Sequence, residues 1–156
     1  MLHSIRSVFH QAVFASGPCA WLAIDGIPLE RWLADHLEEP QVAQHALSLM
    51  WLHREEEEAV TVRRFTPGED GTSTLVPLLV CSSDMDLGCS VLVVEQLVEG
   101  DTVQWCRFGW SVSGGVEVGI STRWIKDCGP VTFALSEFNQ ALRDLNELRL
   151  RPLESA

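Results

Sequence analysis

The chain has no tyrosine, although it carries six Trp and six Phe. Most of the Trp sit inside apolar runs, which assigns them to a core. Basic residues are scarce: 11 Lys and Arg stand against 22 Asp and Glu, a formal net charge of −11. Residues 1–100 hold 15 acids and 5 bases, a balance of −10, whereas residues 101–156 hold 7 and 6, a balance of −1. The negative field is thus concentrated in the first two thirds of the chain. Direct nucleic-acid binding is disfavoured, because affinity for the phosphate backbone comes from Lys and Arg. A cationic protein partner is permitted, since opposite fields steer association. The bland alternative is an acidic charge that serves solubility alone.

Long apolar runs are missing too. No segment reaches 18 uninterrupted apolar residues, so no membrane span is expected. His10 and Gln11 interrupt the apolar N-terminal stretch, and Gly17-Pro18-Cys19 is a poor cleavage context, so a signal peptide is not expected. The five Cys (19, 81, 89, 106 and 128) are an odd number in mostly apolar surroundings, which suits buried free thiols in a reducing cytoplasm.

Catalytic signatures are also lacking. The chain has no G-x-S-x-G elbow, P-loop or G-x-G-x-x-G, and all five His fall within the first 53 residues. The reading is of a protein that is not an enzyme and needs no cofactor.

What is present is a 46% apolar composition, ample for one core in 156 residues. The expected fold is α+β: a single domain over 1–156, built on a mainly antiparallel sheet. Its centre is a meander over about 74–110, with strands 74–81, 89–97 and 102–110. Val76 to Val80 and Val91 to Val94 are nearly continuous apolar runs, the pattern of strands covered on both faces. Val103, Trp105 and Arg107 alternate with Gln104, Cys106 and Phe108, which predicts a half-covered strand. Residues 4–14 fit either a strand or a short helix, and further strands are predicted near 20–25 and 59–65 and over Val116–Ile120. Thr122–Pro130 reads as irregular, with a short strand at Thr132-Phe133. Asp25-Gly26 supplies a turn, and Thr66–Ser73 is the clearest loop.

Helices are expected near 28–38, 41–54 and 136–149. The first starts on Pro28 and carries Leu29, Trp32, Leu33 and Leu37 at spacings of three and four. Over 41–54, Val42, Ala46, Leu49 and His53 fit a helical face, although Leu47, Leu49 and Trp51 also alternate as a strand would. The last has Phe138, Leu142, Leu145 and Leu148 on one stripe, Ser136 as its N-cap, Arg149 and Arg151 at its C-terminal end and a stop at Pro152.

The sharpest local constellation is Cys81-Ser82-Ser83-Asp84-Met85-Asp86-Leu87-Gly88-Cys89. As a calcium loop it places Asp84, Asp86, Gly88 and Glu95 at positions one, three, five and twelve, but Cys89 occupies the position that demands glycine. As a zinc site it would need Cys81, Cys89, Cys106 and Cys128, none of which form a pair two to four residues apart. A Cys81–Cys89 disulfide is conceivable between strands but does not suit the compartment. The simplest reading is two buried thiols flanking a turn whose Ser and Asp side chains bond their own backbone. Glu55–Glu58 reads as a solvated helix end or hairpin tip.

The run Pro77-Leu78-Leu79-Val80-Cys81 with Asp84, Asp86 and Cys89, followed by Val103-x-Trp105-x-Arg107-x-Gly109, resembles a group of small bacterial proteins, some associated with toxin–immunity loci. The likeness extends to Trp51-Leu52, the region of Trp124, and the final helix with Phe133 and Phe138, about half the chain. Ser82-Ser83 departs from it, standing where an acidic or Pro-Asp pair is common. The resemblance implies a cytoplasmic immunity-type protein that neutralises a cognate toxin, such as a cationic nuclease effector, by occlusion. Its expected contacts are Glu55, Glu56, Glu57, Glu58, Glu69, Asp70, Asp84 and Asp86. The alternatives are a metal- or thiol-dependent enzyme centred on Cys81 and Cys89, an acidic adaptor, or a nucleic-acid mimic.

Overall fold

A computed structural model describes residues 2–52, 54–88, 90–126 and 129–150. His53, Cys89, Cys128, Arg151 and Pro152, which figure in the expectations above, lie outside the described residues.

The chain opens with an antiparallel hairpin of β1 (Ile5–His10) and β2 (Cys19–Ile24). Asp25 and Gly26 then turn it back into the two-residue β3 (Ile27–Pro28), both with positive φ (52° and 82°), the geometry that Asp-Gly accommodates. Helix α1 (Leu29–His36) follows with Pro28 at its N-cap, one residue later than the sequence suggests. It buries Leu29, Glu30 and Leu33.

The structure corrects two expectations in the next segment. The 41–54 helix is a 3-10 turn (Pro40–Gln44), a two-residue strand β4 (Ala46–Leu47) and a single helical turn α2 (Ser48–Trp51). Ala46, Leu47, Ser48 and Leu49 are all buried, which one helical stripe could not achieve, and β4 gains its pairing from β5, more than thirty residues away (Ala46 with Val80, Leu47 with Leu79). The strand expected over 59–65 belongs instead to helix α3 (Glu55–Phe65). Its inward residues, Glu57, Val60, Thr61 and Phe65, recur with the helical period. Four Glu in the first turn and Arg63 and Arg64 in the last oppose the helix dipole at both ends.

The meander is present: β5 (Ser73–Val80), β6 (Val91–Glu99) and β7 (Thr102–Ser111) pair antiparallel in sequence. The sheet order is β4-β5-β6-β7-β8, where β8 (Thr122–Trp124) pairs Gly109–Ser111 and β9 (Val131–Ala134) pairs the first half of β7. Thr122–Pro130 is therefore partly strand, and the strand expected over Val116–Ile120 is replaced by a 3-10 turn at Gly115–Glu117. Two bulges break the meander's register, at Leu78 and at Cys106. The second explains why the alternation predicted for β7 reverses: Trp105 is buried, Arg107 is exposed and Phe108 is buried. Helix α4 (Leu135–Leu150) begins one residue before Ser136, which falls inside the first turn and not at the cap. The Glu137 Oε1 in that turn accepts the Ile5 N–H at 2.8 Å, tying α4 to β1.

Both faces of the sheet are covered. Leu92, Val94, Trp105 and Phe108 face the main core, where Trp105 meets Phe133 and Phe138 edge-on at 4.9 and 6.1 Å. Within it, buried Gln96 donates from Nε2 to the Phe65 carbonyl (2.8 Å) and accepts the Trp105 indole N–H (2.9 Å). Ala46, Val80, Leu87, Val91, Val93 and Val118 make a smaller core on the opposite face. Two surface loops roof that smaller core, and they carry the candidate site.

Candidate functional site

The first loop, from Cys81 to Gly88, leaves β5 through a tight turn. The Met85 N–H bonds the Cys81 carbonyl at 2.9 Å, and Met85 adopts φ 51°. Asp86 Oδ1 accepts the Gly88 N–H at 2.9 Å, a side-chain bond to the loop's own backbone as the spacing predicted. Leu87 plugs the smaller core, and its N–H donates to Glu57 Oε1 at 3.0 Å in a buried contact.

That bond changes the reading of Glu55–Glu58. Glu57 is only 4% exposed, so it is a structural carboxylate and not a partner contact. It fastens the 81–88 loop to the first turn of α3 and thereby brings two of the expected acidic groups together. Glu55, Glu56 and Asp84 are exposed there, with no ion pair among the described residues. Glu58 and Asp86 are half-buried.

Glu69 and Asp70 are exposed elsewhere. Asp70 Oδ1 accepts the Gly100 N–H at 2.8 Å, anchoring the 66–72 loop to the β6–β7 turn at the other end of β5. Eight residues of strand separate the two ends, about 26 Å at the usual rise. The eight expected contact residues therefore form two acidic ends and not one surface.

The metal and thiol readings fare differently. Glu95, the twelfth position of the calcium pattern, lies within β6 and accepts the Arg107 Nε–H at 2.8 Å. Cys106 sits at the β7 bulge opposite Glu95 and Gln96, whereas Cys81 follows Val80, which pairs Val91. Five to six residues of strand, on the order of 18 Å along the sheet, separate their levels, so these two thiols do not share a zinc site. Among the described residues, no three His, Cys, Asp or Glu side chains are grouped as metal ligands would be.

Sequence reasoning missed one buried polar cluster. Glu30, fully buried on α1, accepts the Trp21 indole N–H at 2.7 Å on Oε1 and faces His10 Nε2 at 2.6 Å on Oε2. Cys19 pairs with His10 across the hairpin, which gives the cluster the outline of a Cys–His–carboxylate arrangement. Burial pushes the Cys19 thiol up, the neighbouring Trp51 indole offsets this only in part, and the Glu30 charge raises it further. A raised thiol is the opposite of an activated nucleophile. Burial likewise pushes Cys106 up, and the Glu95 charge adds to it. The Glu at 30 stood in the sequence as one more helix-start acid; only the docking of α1 on β2 buries it.

The second loop, Val112–Ser121, joins β7 to β8 and is internally hydrogen-bonded. Ser111 Oγ accepts the Gly119 N–H at 2.9 Å, and Ser113 Oγ donates to the Glu117 carbonyl at 2.7 Å. Arg64 reaches from α3 to donate to the carbonyls of Val118, Val116 and Leu75 at 2.5 to 3.1 Å. Burial lowers the Arg64 pKa, and Arg63 adds to it. The Gly115 N–H donates to the Leu87 carbonyl at 3.2 Å, so the two loops are joined to each other and both to α3. Nothing in the sequence pointed to Arg64, because its partners are backbone atoms remote in the chain.

Around the β8 edge lies an open groove of about 600 Å³ that includes Glu39, Trp110 and Arg123. Glu39 Oε1 accepts the Trp110 indole N–H at 2.9 Å, and the Arg107 guanidinium stacks 3.8 Å over the Trp124 ring. No helix is long and apolar enough to cross a membrane among the described residues.

No family model matches the chain, and no curated protein or solved structure matches it either.

Proposed function

We propose that this protein acts in the cytoplasm as an immunity-type inhibitor, binding a cationic toxin or effector protein through the acidic end formed by α3 and the 81–88 loop. One observation carries the reading. The buried Glu57–Leu87 bond holds Asp84 of the loop beside Glu55 and Glu56 of the helix, so their charges face solvent without the cost of ordering the loop against the helix on binding. The mechanism is steric and electrostatic blockade of the partner's active site, with the acidic field raising the encounter rate. The resemblance of the β5–β7 motif to proteins of toxin–immunity loci supports the same reading. The Glu69–Asp70 end is a separate acidic patch that contributes to the long-range field but not to this contact.

The test is co-expression with the protein encoded beside it. The expected result is a stable complex and protection of the cell, and failure of both removes the proposal. With the complex in hand, Glu55→Lys with Glu56→Lys is expected to slow association by about tenfold at low salt, with little change in dissociation. An unchanged association rate takes these two carboxylates out of the contact.

A further inference from the structure

His45 and Ser90 stand 45 residues apart in the chain, and the sheet brings them together. β4 and β6 both pair antiparallel with β5, through the row Ala46–Val80–Val91. His45 directly precedes Ala46, Ser90 directly precedes Val91, and β5 ends at Val80. Past the end of β5 their side chains meet, with His45 Nε2 at 3.1 Å from Ser90 Oγ.

The other ring nitrogen sets the tautomer. His45 Nδ1 lies 3.1 Å from the Gln41 carbonyl, which can only accept, so Nδ1 carries the proton. In the neutral ring Nε2 is then bare, and the Ser90 hydroxyl donates to it. Gln41 belongs to the 3-10 turn Pro40–Gln44, and the Trp110 ring packs on the imidazole at 5.3 Å, so the ring is held from two sides. Nucleophile, base and orienting acceptor thus stand in line, the arrangement that activates a serine. Burial lowers the His45 pKa below its usual 6.5, which keeps the ring in its basic form at neutral pH.

The pair opens on space. Ser90 lines the groove of about 600 Å³ at the β8 edge, together with Glu39, Gln41, Trp110, Arg123 and Lys126. Glu39 Oε1 is already engaged, accepting the Trp110 indole N–H and the Gln41 amide N–H at 2.9 Å each. Arg123 and Lys126 are exposed and give the wall charge of the sign that a developing oxyanion needs. Ser90 is exposed as well, so a substrate reaches it directly.

We infer that Ser90 and His45 are the nucleophile and general base of an acyl-transfer site that takes carboxylic esters in this groove. Ser90 Oγ attacks the ester carbonyl as its proton passes to His45 Nε2. The carbon–oxygen bond to the leaving alkoxide then breaks, and His45 gives that oxygen the proton. Water, deprotonated by His45, attacks the acyl-serine; the carboxylic acid departs and the proton returns to Ser90 Oγ. The inference goes beyond the proposed binding role and does not depend on it.

The experiment treats the full chain with a fluorophosphonate, which bonds an activated serine oxygen with loss of fluoride, and locates the adduct by peptide mass. The expected adduct is at Ser90, with Ser82 and Ser83 unlabelled over the same time. His45→Asn should slow labelling by about a hundredfold or more, and Ser90→Ala should abolish it together with the burst from 4-nitrophenyl acetate. His45 faces the Gln41 carbonyl, Ser90 and Trp110, and the charged groups of the lining are Glu39, Arg123 and Lys126. The wild-type labelling rate should therefore be level from pH 9 to pH 7 and fall only below pH 6.5. No adduct at Ser90 in protein that a thermal melt shows to be folded would overturn the inference. So would equal labelling of Ser82, an undiminished rate in His45→Asn, or a rate that climbs steadily from pH 6.5 to pH 9. The labelling pattern and the pH profile are read on the wild type, so they decide the matter even where a variant folds poorly.

Discussion

Replacing Glu57 by Ala tests whether one buried carboxylate holds the 81–88 loop on α3. The substitution removes the acceptor of the Leu87 N–H, a 3.0 Å bond between groups that are 4% and 0% exposed. Water does not reach the orphaned N–H unless the loop lifts, so the cost is that of a buried unsatisfied donor, about 2 kcal/mol. For a domain of this size that corresponds to about 4–8 °C in Tm. The effect should be local as well: amide exchange at Leu87 should accelerate on the order of thirtyfold, while amides of the β6–β7 pairing keep their relative protection. Glu57→Gln retains a carbonyl at the same place and should recover about half of the loss. Unchanged exchange at Leu87 in a folded Glu57→Ala protein would refute the reasoning. A Gln variant as unstable as the Ala variant would move the effect from the acceptor to the charge.

Two further outcomes follow from buried polar groups. Gln96→Leu leaves the Trp105 indole N–H and the Phe65 carbonyl without partners in the main core, and should lower stability by about 2–4 kcal/mol with an unchanged urea m-value; a loss under about 1 kcal/mol would show that these groups find other partners. Burial lowers the His45 pKa below its usual 6.5, more than its bond to the Gln41 carbonyl raises it, so the folded state resists a proton that the unfolded chain accepts. Its contribution to stability is complete above pH 6.5 and is lost as pH falls from there through the folded pKa, so the stability difference between wild type and His45→Asn should shrink on going from pH 7 to pH 5.5; a difference independent of pH would contradict it.

Much of this architecture is legible in the chain because it depends on neighbours. The apolar runs of β5 and β6, the Asp25-Gly26 turn and the stripe of α4 each state a local preference that packing reinforces. The 59–65 segment misled because Val60 and Val62 alternate like strand residues; the better signal was the four Glu before it and Arg63-Arg64 at its end, charges that suit the two poles of a helix. The 41–54 segment carried no such signal. Its pairing partner, Leu79-Val80, lies more than thirty residues away, and only sheet completion decides it.

The candidate site divides in the same way. Composition and spacing alone established an acidic chain, an α+β fold and a turn that Asp86 bonds to its own backbone. Tertiary structure alone decided that Glu57 is buried and Glu55 and Glu56 are not, that Glu69 and Asp70 stand at the far end of the sheet, that Glu30 is sealed against Trp21 and His10, and that Arg64 fixes a loop of exposed aliphatics. The reason is physical: hydrophobic period and turn chemistry act over a few residues, whereas the fate of a charge depends on which backbone donors and acceptors the fold brings against it. Four consecutive Glu are indistinguishable until the helix gives one of them to the interior.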